Sequence, residues 1–352
     1  MNKIIGTFVT VVTAAVLVSC AEQKGTDDIA MEEAALAGWM RNNRPDIPKK
    51  EDGLYYKIYP AGTDAKKVSL TDGVSWIYLT GLGTDLEGNY FFNMYGDIAR
   101  RLGTYTELTH FVPEIYRYIE SQDLTSGVYK VLPEMSVGDS IEMYCSSRWG
   151  YGSGTAEVYV TGFEGNIDLS GNTPIYRTFR LNNASDDPAE ISEKEVTEYA
   201  TDKLDKLVSD SLKKGVYLRI TQPVTKGETI GEEDEVEVFY TGRYIDGKVF
   251  DTNIEKVARE NKIYDSEKSY KAMSVKGNSD SFVKGFMLAV TNMKRGEKGT
   301  VVFTYNWGYG VTGNNSDGIY IRPFDSLVFA PSISYPPRST PHAVSPTANR
   351  RR

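Results

Sequence analysis

Few residues of this 352-residue chain have the types and spacing that nucleophilic or metal chemistry needs. Histidine and cysteine number two each, and neither His110 nor His342 has a neighbour at metal-ligand spacing, which argues against metal, Ser-His and Cys-His catalysis. Two glycine phrases have nucleotide-site spacing and fail on context. Gly308-Tyr309-Gly310-Val311-Thr312-Gly313 fits G-x-G-x-x-G behind a strand-like run, but Asn314 to Gly318 follows where a helix must begin, so no helix N-terminus meets a pyrophosphate. Gly242 to Lys248 spells G-x-x-x-x-G-K, yet Val249 replaces the required Ser or Thr and the lysine falls in a hairpin. The net charge of −8, with no basic stripe, argues against nucleic acid as a partner. The inventory is rich in aromatic residues instead.

Of the two cysteines, the first has a legible role. Lys3 precedes an apolar run, Ile4 to Val18, too short to span a bilayer, and the run ends in Leu17-Val18-Ser19-Cys20. This resembles a bacterial lipobox. It implies cleavage of residues 1–19 as a signal peptide, lipidation of Cys20, and a chain anchored to a membrane of the bacterial cell envelope, on its periplasmic or surface face. Several acyl chains at about 0.8 kcal/mol per buried CH₂ would make that anchoring durable. Cys145 alternates with Ile141 and Met143 on the apolar face of a strand, the pattern of a buried, inert thiol.

The elements that carry these residues are duplicated. Trp149-Gly150-Tyr151-Gly152 and Trp307-Gly308-Tyr309-Gly310 each lie 14 residues after a methionine, Met135 or Met293, and Gly138 and Gly296 share the same 158-residue offset. The length accommodates two domains, each with its own core. Residues 20–50 are expected to form a tether and a short helix, from about Ile29 to Met40. In a linker at 186–214, Ser192 and Glu195 have the spacing of a capping box, and Val196, Tyr199, Leu204, Leu207, Val208 and Leu212 recur at helical spacing. Short alternating strands and glycine turns, such as Val236 to Tyr240 before Asp246-Gly247, fill 51–185 and 215–330.

In the second repeat, six blocks resemble the FKBP-type peptidyl-prolyl isomerases: Val238-Phe239-Tyr240-Thr241-Gly242, Asp246 to Asp251, Phe282-Val283-Lys284-Gly285-Phe286, Gly296-Glu297-Lys298, Trp307 to Gly310, and Leu327-Val328-Phe329. They fall in the family's order, with an insertion between Thr252 and Ser281. The resemblance implies an α+β fold: two FKBP-like domains, each a bent antiparallel sheet wrapped over a short helix, here about Phe286 to Asn292. It implies isomerisation of X-Pro bonds without cofactor or metal. Its substrates would be proline-containing unfolded or folding polypeptides, and macrolides are the inhibitors it suggests. By position, Phe286 becomes the floor under the proline ring, in a place where many relatives have tryptophan. Tyr240, Phe250, Phe282, Val283 and Phe329 become walls, Asp251 the group beside the twisting carbonyl, Tyr309 a hydroxyl donor, and Tyr320 and Ile321 a flap.

That chemistry suits the inventory, because twisting an amide needs neither nucleophile nor proton transfer. A dry pocket disfavours the planar, charge-separated ground state more than the twisted one. The first repeat matches poorly: Leu79 stands for Tyr240, Phe92 for Asp251, Val128 for Phe286 and Arg177 for Phe329, while Tyr151 survives. It resembles a degenerate FKBP-like domain. At the other end, Ala330-Pro331 is expected to cut the final strand short, ahead of a Pro/Ser/Thr-rich tail at 331–352 that ends in three arginines. The alternative to an isomerase is a chaperone-like lipoprotein that binds peptide without turnover.

Overall fold

The computed structural model describes residues 28–121, 124–152, 156–159, 166–169, 171–316 and 318–334. The signal peptide, Cys20 and the C-terminal tail beyond residue 334 lie outside these residues. The chain divides into two compact units at Asp187/Pro188.

The first unit opens with helix α1 (28–43) and continues through β1 (Lys49–Glu51), β2 (Leu54–Tyr59), β3 (Trp76–Asp85), β4 (Tyr90–Asn93), α2 (Gly96–Leu102), β5 (Glu114–Arg117), α3 (Ser126–Val131), β6 (Ser140–Cys145), β7 (Ala156–Tyr159), β8 (Asn166–Leu169) and β9 (Ile175–Ser185). Its antiparallel sheet has the order β1-β2-β6-β9-β3-β4, with β5 also on β3, and β7 and β8 form a separate hairpin. One face buries Leu54, Ile77, Phe91, Ile141, Met143 and Phe179 in one core with Val128 of α3. The other face takes α1, whose Leu36 and Met40 pack with Tyr55 and Tyr144.

Arg44, just past α1, ties that helix to the sheet by a fork on Glu142, at 3.1 and 2.9 Å. This pairing, helped by the Tyr59 hydroxyl, holds the Glu142 carboxyl below its ordinary range. A carboxylate whose folded value is depressed stabilises the fold above its unfolded pKa, and that stability is lost as pH falls through the folded value. Amide exchange in β6 is therefore expected to accelerate as pH falls from about 5 towards 3, after correction for the intrinsic rate, and to do so less in Glu142→Gln.

The second unit runs α4 (Pro188–Leu204), β10 (Val216–Gln222), β11 (Glu235–Phe239), β12 (Thr241–Tyr244), β13 (Val249–Thr252), α5 (Glu255–Glu260), β14 (Met273–Lys276), α6 (Lys284–Thr291), β15 (Lys298–Phe303), β16 (Asn314–Ser316), β17 (Ile319–Ile321), β18 (Leu327–Phe329) and β19 (Ser332–Ile333). The order β13-β12-β18-β15-β19-β11-β14, with β10 on β15, repeats that of the first unit once β11–β12 is equated with β3 and β18–β19 with β9. The register repeats too: Leu54 faces Cys145, and Val216 faces Phe303. The repeated tryptophans do the same structural work, Trp149 Nε1 donating to the Asp52 carbonyl and Trp307 Nε1 to that of Lys214. Each phrase thus pins the opening turn of its own unit. Both units are α+β, each a bent antiparallel sheet over a short helix.

Expectations for the linker helix and for the last strand need correction. The helix expected as a linker at 186–214 is α4, and its Val196, Ala200 and Leu204 pack on Tyr217, Val302 and Val328, so it covers the sheet of its own unit. Ser192 lies inside α4 rather than at its cap; its buried hydroxyl meets Ser326 Oγ at 2.8 Å and accepts the Tyr305 N–H at 3.3 Å. The helix stops at Leu204 because Asp205 turns left-handed (φ 51°), which leaves Leu207 and Val208 exposed.

The other correction concerns the last strand, which Pro331 interrupts without ending. Ala330 N–H donates to Thr241, the Pro331 carbonyl accepts from Gly299, and Ile333 then pairs with Val238. A residue without an N–H is tolerated where its neighbours carry the ladder.

Candidate functional site

A cleft of about 1100 Å³ opens in the second unit, lined by Tyr240, Phe250, Asp251, Phe282, Val283, Phe286, Tyr309 and Phe329 among others. Each element delivers its residue for a local reason. Tyr240 sits in the break between β11 and β12, where its N–H leaves the ladder for Asn253 Oδ1 at 2.7 Å. Asn253 is itself fixed by donating to the Val238 and Lys271 carbonyls. The Asp246-Gly247 turn (Gly247 φ 95°) returns the chain as β13, which presents Phe250 inward and Asp251 at the rim.

Opposite Asp251 and Phe329 on the ladders lies Gly242, where a Cβ would fall 2.7 Å from the Phe250 ring and 3.1 Å from that of Phe329. Only glycine lets these rings close over the strand. Phe282 and Val283 precede α6, and Phe286, one turn later, is 2% exposed, a floor held by its neighbours.

The rings form one cluster. Phe286 lies 5.4 Å from Phe329, 5.9 Å from Tyr240 and 5.9 Å from Phe282, and Phe329 lies 5.7 Å from Phe250. Tilted and edge-on pairs at such distances contribute about 0.5–1.5 kcal/mol each beyond the area they bury, so the pocket wall is also core. Asp251, Asp280 and Lys284 are the charged residues of the lining. Asp251 accepts from the Tyr240 hydroxyl and pairs with Lys268. Burial, then the nearby charge of Asp251, pushes the pKa of both Tyr240 and Tyr309 up, which keeps both phenols protonated and able to donate.

Two expected flap residues do not line the cleft. Ile321 is 1% exposed within the core, and Tyr320 turns its carbonyl to the Tyr244 hydroxyl at 2.6 Å. Ile319 lines the cleft instead, from the strand of the hairpin that holds both. The sequence also gave no notice of Lys268, Met273 or the wall at Gly277 to Ser281. All belong to the insertion, whose composition marks no contact with an aspartate.

In the first unit the strand register fixes the equivalent positions. Gly83 faces Phe92 and Arg177, as Gly242 faces Asp251 and Phe329. Phe92 and Arg177 thus occupy the aspartate and wall positions. Leu79, expected at the place of Tyr240, does not hold it: Gly81 does, since its carbonyl accepts from Met94 N–H as that of Tyr240 accepts from Asn253 N–H. Two Gly residues two positions apart in β3 offered competing alignments, and the nearer Thr-Gly match was the wrong one.

Comparison with known proteins agrees with the geometry. Residues 226–331 match the FKBP-type peptidyl-prolyl cis-trans isomerase family. A short-type peptidyl-prolyl cis-trans isomerase of Methanocaldococcus jannaschii is 42% identical over 82 residues, covering 23% of this chain and 52% of that protein. A probable FKBP-type isomerase of Haemophilus influenzae is 32% identical over 104 residues, 30% of this chain and 36% of the relative. The chain thus spans about half, or less, of the length of these relatives.

Among solved structures, three FKBP domains of a wheat protein align over 82% of this chain and 97% of that one, at 15% identity and a TM-score of 0.30. A peptidyl-prolyl cis-trans isomerase of Pseudomonas syringae aligns over 43% and 97%, at 25% identity and a TM-score of 0.29. Those superpositions are loose, and the assignment rests on the sequence match and the site it spans. It is residues 226–331, the span that contributes the whole lining of the cleft, that match the FKBP-type peptidyl-prolyl cis-trans isomerase family.

Proposed function

We propose that the chain accelerates X-Pro isomerisation in proteins folding in the bacterial cell envelope, that turnover resides in the aromatic cleft of the second unit, and that Cys20 anchors the chain to a membrane. The observation that carries this reading is the Phe286 floor ringed by Tyr240, Phe282 and Phe329, with Asp251 and Tyr309 in the same lining. FKBP-type isomerases act on proline-containing polypeptides, and a proline ring suits an apolar, aromatic-lined cavity with few polar groups. In that cavity the planar amide loses the solvation that favours its charge separation. The twisted amide loses less, so the barrier falls.

Bringing a step of tens of seconds to milliseconds requires roughly 5–6 kcal/mol. One hydrogen bond supplies about 1 kcal/mol net, so Tyr309 would orient the substrate backbone while the enclosing rings do most of the work. The test is isomerisation of X-Pro peptides by the intact chain: catalysed exchange between cis and trans supports the reading, and binding without acceleration would leave the chaperone-like alternative.

The anchor is tested apart from the cleft. Cys20→Ser is expected to move the protein from the membrane fraction to the soluble fraction and to abolish uptake of labelled fatty acid. Retention of C20S in the membrane, with no label in the wild type, would remove the lipoprotein reading and leave the isomerase reading intact.

A further inference from the structure

Both carboxylate oxygens of Asp251 are engaged. Oδ2 accepts from the Tyr240 hydroxyl, and Oδ1 accepts from the Lys268 ammonium. The lysine comes from the insertion between Thr252 and Ser281, on a turn braced on both flanks. Tyr264 and Tyr270 stack at 5.2 Å, and the Tyr270 hydroxyl accepts the Asp265 N–H at 2.9 Å. Asp265 Oδ1 in turn accepts the Glu267 N–H at 2.8 Å. On the far flank the Lys271 carbonyl accepts from Asn253 Nδ2 at 2.9 Å, and the same Asn253 holds the Tyr240 N–H. The turn that carries the lysine and the wall that carries the phenol are thus fixed by one side chain.

The pair changes the charge that a substrate meets. On the isomerase reading of the cleft, Asp251 lies beside the carbonyl that twists, and that carbonyl belongs to the residue preceding proline. The side chain of that residue therefore leaves the chain next to Asp251. A lone carboxylate there would attract a basic side chain and repel an acidic one. Lys268 at contact offsets it. The two side chains are 37% and 19% exposed, open enough to be felt by a bound peptide and to be screened by salt. Asp280 and Lys284, the other charged residues of the lining, are of opposite sign.

We propose that Lys268 sets the charge preference of the cleft for the residue preceding proline: by neutralising Asp251 it admits acidic as well as basic residues there. The inference rests on reading the cleft as a prolyl-peptide site. Lys268 acts through Asp251, which makes it a specificity-determining residue rather than a catalytic one.

The test uses the intact chain and three peptides of one length, blocked at both ends, with Glu, Gln or Lys before a single proline. The quantity read is the Lys-Pro to Glu-Pro ratio of kcat/KM, beside the same ratio of affinities from fluorescence anisotropy. Lys268→Met is expected to raise both ratios about fivefold at low ionic strength, the scale of a partly exposed charge pair. Lys268→Arg is expected to leave them at the wild-type value. Asp251→Asn, which strands the lysine, is expected to lower them by a similar factor, and the double variant K268M/D251N to restore them. At about 1 M salt, where the Debye length is about 3 Å, the differences are expected to collapse.

Opposite shifts in K268M and D251N are what neutralisation requires, whereas a lysine that only braces the insertion would affect all three peptides alike. Ratios unchanged in both variants, or shifted in one direction, overturn the proposal. Should K268M misfold, D251N decides, since its ratio must fall. Gln-Pro turnover by the wild type reports separately on the isomerase reading: no turnover, with affinity ratios that shift as stated, removes that reading and retains the role of Lys268. Turnover with unshifted ratios does the reverse, and binding of none of the peptides overturns both.

Discussion

Phe286→Ala is expected to be the most damaging single substitution in the second unit. The ring is 2% exposed and touches Tyr240, Phe282 and Phe329, so its loss leaves a cavity that α6 cannot close without moving the sheet. Phe→Ala in such a setting costs about 3–5 kcal/mol. Thermal unfolding is therefore expected to lose the second-unit transition first while that of the first unit stays in place. X-Pro turnover is expected to fall more than the unfolded fraction explains, because the floor beneath the substrate ring is gone. Unchanged stability would show that Phe286 is not core, and unchanged turnover by the folded fraction would show that it is not the floor.

Asp251→Asn combined with Tyr309→Phe separates chemistry from folding. Asparagine keeps the shape and an acceptor for the Tyr240 hydroxyl, and the Lys268 pair it removes is partly exposed, worth at most about 1 kcal/mol. Phenylalanine at 309 keeps the ring. The double variant is expected to fold normally and to slow turnover by on the order of 10- to 100-fold, the loss of one charge and one donor beside the reacting amide. Normal turnover would mean that the site lies elsewhere.

The duplication was legible because Trp149 and Trp307 serve one structural purpose, and a side chain that pins an opening turn leaves an identical phrase behind. The cleft was legible where a residue's type is demanded by its contacts, as at Gly242, Phe250, Phe286 and Phe329. Register was less so. Leu79 and Gly81 both offer a match to Tyr240, and the ladders through Gly83 together with the hydrogen bond from Met94 to the Gly81 carbonyl decide between them. Helical spacing past Leu204 misled because the left-handed turn at Asp205 is a backbone choice that periodicity does not carry. Lys268 was invisible, since a lysine in an insertion gains meaning only when the chain folds it back on Asp251.

The division of labour is the central claim, and each unit has its own sheet and core on which to test it. The direct measurement is X-Pro isomerisation by residues 188–352 beside residues 21–187, both shown by circular dichroism to be folded. The account expects turnover from 188–352 and none from 21–187, where Gly81, Phe92, Val128 and Arg177 replace Tyr240, Asp251, Phe286 and Phe329. Equal turnover from both would contradict it.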